Sequence, residues 1–166
     1  MGGQLLARDA CAILKKEKRG GNMIIRAGKE HAGAIARLAV NMWEGHDVHA
    51  LEAEFCALLA RGDCAVFLYI IEDKPVGFAQ CQLRRDYVEG TQTSPVGYLE
   101  GIFVDAGYRM RGIARVLLSA CQAWAKEMGC AEFASDCELH NEESLAFHLK
   151  MGFAEANRII CFTKKL

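Results

Sequence analysis

The sequence lacks the features of a membrane protein and of a general nucleic-acid binder. Its apolar runs are short and interrupted by charged residues, which argues against a transmembrane span. Its formal net charge is −1 at pH 7, whereas binding to nucleic acid requires an excess of positive charge. Only 2 of the 166 residues are proline, and 52% are hydrophobic. The chain therefore has enough apolar material for the core of one domain.

Cysteines are present, but they lack the spacing of a metal site or of a disulfide framework. No two of them form a C-x-x-C pair, and several lie within apolar segments, where a reduced cysteine packs as a small hydrophobic residue. We also expect no secretory signal peptide before them. We therefore expect free thiols, a reducing cytoplasmic location and no zinc or other metal. The eight residues are Cys11, Cys56, Cys64, Cys81, Cys121, Cys130, Cys137 and Cys161.

Residues 1–22 differ from the rest of the chain. They contain five basic and two acidic residues and end in Gly-Gly-Asn before Met23. We expect an accessory extension of little functional importance, followed by one domain over residues 23–166; the alternative is a basic amphipathic arm. The remaining body holds 15 basic and 19 acidic residues, so it is acidic.

The pattern of apolar residues predicts a mixed α/β fold. The strongest helix follows a basic loop at Gly107–Arg111, because Ala114, Leu117, Cys121 and Trp124 share one helical face. A hairpin that precedes a strand–helix–strand unit indicates a mixed sheet. Strands are predicted at Met23–Arg26, Ala65–Glu72, Val76–Leu83, Val96–Val104 and Ala131–Ser135, with one or two closing strands in Phe153–Phe162. Further helices are predicted at Glu30–Met42, Ala50–Ala60 and Asn141–Met151.

The most informative stretch is the connection between the Val96–Val104 strand and the strongest helix. It contains R-x-x-G-x-A, formed by Arg109, Gly112 and Ala114, directly before the helix. Backbone N–H groups at a helix start bind anions, and the small residues leave room for a phosphate group. The lysine and hydroxyl residues of a P-loop are absent, and the turn does not follow the first strand as in a dinucleotide-binding fold. A pyrophosphate group fits this turn.

The turn, the preceding LEGIFV strand and the later F-H-L-K-M-G-F segment at 147–153 together resemble the GNAT superfamily of acetyl-CoA-dependent N-acetyltransferases. The segments YVEGTQTSPV at 87–96, LEGIFV and EFASD at 132–136 further resemble aminoglycoside 6′-N-acetyltransferases. The similarity covers about residues 23–166. It implies a mainly antiparallel mixed sheet flanked by helices, with a splayed pair of central strands.

The resemblance also implies where the donor binds. The backbone of Ile102, Phe103 and Val104 would pair with the pantetheine arm of acetyl-CoA as an added strand does. The pyrophosphate would lie on Arg109, Met110, Arg111, Gly112, Ile113 and Ala114. Asn141 would reach the pantetheine from the other side. His148 stands where many members carry a tyrosine near the thioester sulfur, so His148 or Tyr87 would protonate the leaving thiolate.

Acetyl transfer needs an unprotonated amine, yet alkyl amines are largely cationic at pH 7. Two stretches supply carboxylates without any Lys or Arg: Trp43–Glu54, which includes Glu44, and Glu132–Glu143. Glu100 and Asp136 stand out because each adjoins an apolar strand, where an unpaired charge is costly unless it is used. Negative charge around the acceptor suits a substrate with several ammonium groups. By resemblance, Trp43, His46, Tyr87, Glu100 and Asp136 line the aminoglycoside site, with Glu100 as the base and Asp136 anchoring ammonium groups or sharing that role.

The leading hypothesis is therefore an aminoglycoside 6′-N-acetyltransferase that uses acetyl-CoA and confers resistance. The alternatives are a GNAT enzyme that acetylates a polyamine, a small metabolite amine or a peptide amine, and a catalytically silent CoA-binding domain. The resemblance also suggests a homodimer, and we expect no nucleic-acid or membrane partner.

Overall fold

The computed structural model describes residues 21–43 and 45–166, and its centre is a five-stranded sheet. The strands are β1 (Asn22–Arg26), β2 (Cys64–Ile71), β3 (Lys74–Arg84), β4 (Val96–Val104) and β5 (Phe133–Ser135). They lie in the order in which they occur along the chain. The first four form antiparallel neighbours, whereas β5 runs parallel to β4. The expected mixed, mainly antiparallel sheet is confirmed.

Helices cover both faces of this sheet. They are α1 (Ala32–Ala39), α2 (Val48–Leu58), α3 (Ile113–Glu127) and α4 (Glu142–Lys150). The β2 sequence CAVFLYII is apolar without interruption because alternate side chains enter two different cores. Val66 and Leu68 pack with α1 and α2, whereas Phe67 packs with α3. Among the described residues, no helix is both long and apolar enough to cross a membrane.

Helix α3 forms where the strongest periodicity predicts it. Its buried face is made by Leu117, Leu118, Cys121, Trp124 and Ala125, which recur at helical spacing and pack on β2, β3 and β4. The N-terminus of this helix is consequently held at the end of β4. That placement matters for the site described below.

The prediction of closing strands in Phe153–Phe162 is wrong for the described structure. Residues 154–166 form neither helix nor strand and are exposed, including Ile159 and Ile160. Apolar alternation gives a segment the capacity to form a strand, but a strand also needs a partner edge. The predicted extension lies largely outside the described residues, as does Glu44, and its last residue, Asn22, is the first residue of β1.

Candidate active site

An open cleft of about 280 Å³ lies where the α1–α2 connection meets the sheet; we call it the acceptor cleft. Trp43 and His46 line it from the connection, Glu54 from α2, Gln80 from β3 and Glu100 from β4. The Trp43 ring is also part of an aromatic cluster, with its centroid 6.2 Å from Phe55 and 6.3 Å from Phe78. Trp43 therefore serves the core and the cleft at once.

A β-bulge places Glu100 in this cleft. Gln80 of β3 pairs with Gly101, and the next residue, Cys81, pairs with Leu99, so Glu100 is an extra residue on β4. A bulge redirects the side chain of the inserted residue and bends the strand. Gly101 beside it is closely packed: a Cβ atom there would lie 2.7 Å from the Met42 methyl group and 3.3 Å from Trp43, so the Met42 side chain would have to move.

The Glu100 carboxylate is held by two side chains of β3. Arg84 donates from Nη2 to Oε1 at 2.9 Å and to Oε2 at 3.0 Å, and from Nε to Oε1 at 3.1 Å. Gln82 donates from Nε2 to Oε1 at 2.6 Å. The Glu100 side chain is only 20% exposed, so this paired geometry offsets the cost of removing its charge from water.

Asp136 lies just beyond β5 and is bound by a different residue. The hydroxyl of Tyr98, on β4, donates to Asp136 Oδ1 at 2.7 Å. The Arg84 guanidinium lies 3.3 Å from the centroid of the Tyr98 ring. Burial, and next the hydrogen bond to Asp136, raise the pKa of the Tyr98 hydroxyl. The Tyr98 hydroxyl therefore keeps its proton at neutral pH and donates a hydrogen bond to Asp136.

Beside the acceptor cleft, a second open cleft of about 470 Å³ lies at the end of β3 and includes Arg84 and Tyr87. Tyr87 is 81% exposed, and its hydroxyl donates to Glu89 at 2.9 Å. That hydrogen bond raises the pKa of the Tyr87 hydroxyl. The loop that carries Tyr87 is fixed by Glu132, whose carboxylate accepts from the backbone N–H groups of Gln92 and Thr93.

The start of α3 has the geometry of an anion site. Gly112 adopts φ +79°, a left-handed conformation that glycine reaches without strain, and no side chain caps the helix. We call residues 105–114 the donor turn. Arg109 Nε donates to the Val104 carbonyl at 3.1 Å, and Arg111 Nη2 donates to the Gly107 carbonyl at 3.0 Å. Both arginines thus stabilise the turn and add positive charge around the uncapped N–H groups.

Strand β4 extends beyond its pairing with β5 next to this turn. β5 pairs with β4 only as far as Leu99 and Ser135, whereas β4 continues to Val104. Strand pairing with β5 therefore ends before Ile102, Phe103 and Val104. The resemblance implies the splayed strand pair at this place, and the edge of β4 left without a strand partner among the described residues leads toward the uncapped start of α3.

His148 of α4 lies where the pairing of β4 with β5 ends. Its Nδ1 is 2.7 Å from the Ser144 carbonyl, and its Nε2 is 3.0 Å from Ser135 Oγ. Ser135 Oγ in turn donates to the Leu99 carbonyl at 3.1 Å. The Ser135 hydroxyl thus links the imidazole of His148 to the backbone of β4.

The model of the acetyltransferase (GNAT) family matches residues 32–153, which include the sheet from β2 to β5, the donor turn and α4. The chain belongs to the GNAT family of acetyltransferases.

Two curated relatives share one name. The aminoglycoside N(6′)-acetyltransferase type 1 of Stenotrophomonas maltophilia is 41% identical over 144 residues, which are 86% of this chain and 93% of that protein. The protein of the same name from Salmonella typhimurium is 38% identical over 86% of this chain and 98% of its own length.

Solved structures agree with this relationship. AAC(6′)-Iy in complex with the bisubstrate analogue CoA-S-monomethyl-acetylneamine superposes with a TM-score of 0.83 at 36% identity, covering 87% of this chain and 99% of that one. The aminoglycoside antibiotic 6′-N-acetyltransferase AAC(6′)-Ih from Acinetobacter baumannii has a TM-score of 0.83 at 35% identity, covering 88% and 99%. The predicted family and fold class are confirmed.

The GNAT fold brings four of the predicted acceptor residues together. Trp43, His46 and Glu100 line the acceptor cleft itself, and Asp136 joins them through Tyr98 and Arg84. One predicted residue has an additional role: Asn141 precedes α4 and caps it by accepting a hydrogen bond from the Ser144 N–H at 2.9 Å. Met110, in the donor turn, adopts φ +62° and is 93% exposed. Within the part of the chain that the structure describes, His, Cys, Asp and Glu residues form no group suited to a metal ion.

Sequence reasoning missed Gln82, Arg84 and Tyr98. A signal for the first two was present, because Gln80, Gln82 and Arg84 interrupt an apolar strand at every second position and so share one face. Polar residues on one face of a strand that is otherwise buried indicate a site rather than a core. Nothing in the local sequence marks Tyr98, whose partner is 38 residues away.

Proposed function

We propose that this protein transfers the acetyl group of acetyl-CoA to the 6′-amino group of aminoglycosides and thereby confers resistance to them. The observation that carries the proposal is the pairing of two opposite environments along β4. The Glu100 carboxylate lines the acceptor cleft, and Asp136 is linked to it through Tyr98 and Arg84. By contrast, an uncapped helix start with two arginines follows the same strand. The first environment suits a polycation and the second a diphosphate.

The donor is held mainly by backbone. The N–H groups at the start of α3 receive the pyrophosphate of acetyl-CoA, and the β5-facing side of Ile102–Val104 receives its pantetheine arm. Asn141 and Met110 border this path. The thioester is then placed beside the acceptor cleft, where β4 and β5 diverge.

The reaction needs three proton transfers and one displacement. The bound ammonium first loses a proton to a carboxylate of the acceptor cleft, directly or through water. The neutral amine nitrogen then forms a bond to the thioester carbonyl carbon and loses its second proton to water, while the bond from carbon to sulfur breaks. The leaving thiolate takes up a proton, for which we favour His148, because it contacts the end of β5, whereas the Tyr87 hydroxyl is exposed and bonded to Glu89. Amide and free CoA are the products.

The wider assignments also belong to this proposal. We expect a homodimer, supported by the exposed apolar side chains of Ile159, Ile160 and Phe162 in a segment with no strand partner. We place the enzyme in the cytoplasm, since the seven cysteines in the described residues are free thiols.

An acceptor screen tests the activity. Purified protein with acetyl-CoA is expected to acetylate kanamycin-type aminoglycosides that carry a 6′-amino group, and not matched analogues with a 6′-hydroxyl group. Released CoA is quantified by chromatography, because exposed thiols such as Cys137 would react with a thiol reagent. NMR of the product gives the position of the acetyl group. Turnover of spermidine or a peptide amine with none of aminoglycosides would favour the alternative acceptors.

A further inference from the structure

Tyr98 connects the two carboxylates of the acceptor site. Its hydroxyl donates to Asp136 on one side, and its ring lies under Arg84, which holds Glu100, on the other. Tyr98 itself is 6% exposed and packs with Val88, Val96 and Ala134. A buried, closely packed ring is a fixed point from which both contacts are made.

The two carboxylates differ in how their charge is balanced. Glu100 forms a salt bridge with Arg84, so that pair is neutral as a unit. Asp136 forms no salt bridge within residues 21–43 and 45–166, and its Oδ1 accepts from a neutral hydroxyl. A neutral donor orients a carboxylate without cancelling its charge. The negative charge of Asp136 is therefore left for a cationic substrate.

We propose that Tyr98 is a positioning residue of the acceptor site, which orients Asp136 toward the ammonium group of the aminoglycoside. The inference rests on the proposed function and assigns part of its substrate specificity. Tyr98 acts through Asp136 and does not itself touch the reacting atoms. The phenol ring supports Arg84 and the hydroxyl orients Asp136, so the two contributions can be separated by removing the hydroxyl alone.

A double-mutant cycle tests the inference. The four proteins are the wild type, Tyr98→Phe, Asp136→Asn and the double variant. Aminoglycoside Kd is measured by calorimetry, and kcat/KM by CoA release. Tyr98→Phe is expected to weaken binding and kcat/KM about ten-fold, the scale of a hydrogen bond to a charged group. KM for acetyl-CoA and the melting temperature stay at wild-type values. In the Asp136→Asn background the same change adds less than about two-fold.

Controls separate positioning from structural damage. Tyr69→Phe removes a hydroxyl from β2, two strands away, and is expected to leave aminoglycoside binding unchanged. Equal losses from Tyr98→Phe in both backgrounds, or no loss in either, would overturn the inference. A wild type that binds aminoglycosides without releasing CoA contradicts the proposed reaction, while the binding cycle still decides the role of Tyr98. A wild type that binds no aminoglycoside contradicts both.

Discussion

The donor turn and the acceptor site are built in different ways, although both adjoin β4. The donor turn is one continuous segment whose binding groups are backbone N–H groups, made available by Gly112 and the start of α3. The acceptor site combines side chains from the α1–α2 connection, α2, β3, β4 and the end of β5. The first depends on local conformation, and the second on the register of three strands.

Because of this difference, the donor turn and the acceptor site, the two halves of the active site, are sensitive to different substitutions. A backbone site tolerates changes of side chain but not a wrong conformation or a charge placed at its centre. A side-chain network fails when one member is removed, because its partner is then left with an unbalanced charge. Substitutions in the two halves should therefore affect different substrates and follow different rules.

The largest effect is expected from Gly112→Asp in the donor turn. Aspartate tolerates the left-handed conformation of this position, so the turn still forms, but its carboxylate occupies the place of the pyrophosphate. We expect acetyl-CoA affinity to fall by about two to three orders of magnitude through charge repulsion at the helix start. Calorimetry with CoA measures it.

Gly112→Asn is the matched control, since it is nearly the same size and carries no charge. It should lose much less CoA affinity, and neither variant should change aminoglycoside affinity. A loss of both substrates in Gly112→Asp would mean that the two halves are not independent.

The next largest effect is expected from Glu100→Gln, which should impair turnover of the aminoglycoside rather than binding of acetyl-CoA. It leaves the Arg84 guanidinium without its carboxylate in a cleft that receives a polycation. We expect kcat/KM for the aminoglycoside to fall roughly 100-fold, with KM for acetyl-CoA unchanged. Steady-state kinetics with each substrate varied in turn measures both.

The double variant Glu100→Gln with Arg84→Gln separates two explanations of that loss. If charge balance is the cause, removing the unpaired cation restores about ten-fold of the lost kcat/KM. If Glu100 is itself the proton acceptor, the double variant recovers nothing. The role of base would then stay with Glu100, as the sequence suggests, rather than pass to Asp136.

The same contrast explains what could be predicted from the sequence. The R-x-x-G-x-A turn is contiguous, so the residues that give it chemistry are visible side by side, and the strand and helix around it follow from apolar periodicity. The bulge at Glu100 has no such local signal, because it exists only in the register of β4 against β3. Arg84 reaches Glu100 across 16 residues of sequence, and periodicity gives the face of a side chain but not its partner.

The segment Phe153–Phe162 illustrates the same limit at the level of the fold. Its apolar residues favour an extended conformation, yet whether it becomes a strand depends on an edge that the segment itself does not contain. Asn141, by contrast, has a local signal. Its position before an acidic first turn is typical of a helix N-cap, and in the structure its side chain caps α4.

The smallest effect is expected from Glu132→Gln, which loosens the loop that carries Tyr87. Hydrogen bonds from Thr93 and Gln92 hold the pKa of the Glu132 carboxyl below its ordinary value. A lowered pKa in the folded state stabilises the fold above the ordinary carboxyl pKa, and this contribution is lost as pH falls through the lowered value. The melting temperature of the variant should therefore lie slightly below that of the wild type at pH 7, and the two should converge in acid.

KM of the Glu132→Gln variant for the aminoglycoside should rise about two- to five-fold, as for an exposed charged contact. The control is Lys74→Gln, a charge change at the end of β3 away from the Tyr87 loop. A difference in melting temperature between wild type and Glu132→Gln that persists at pH 3 would show that Glu132 acts by packing rather than by charge.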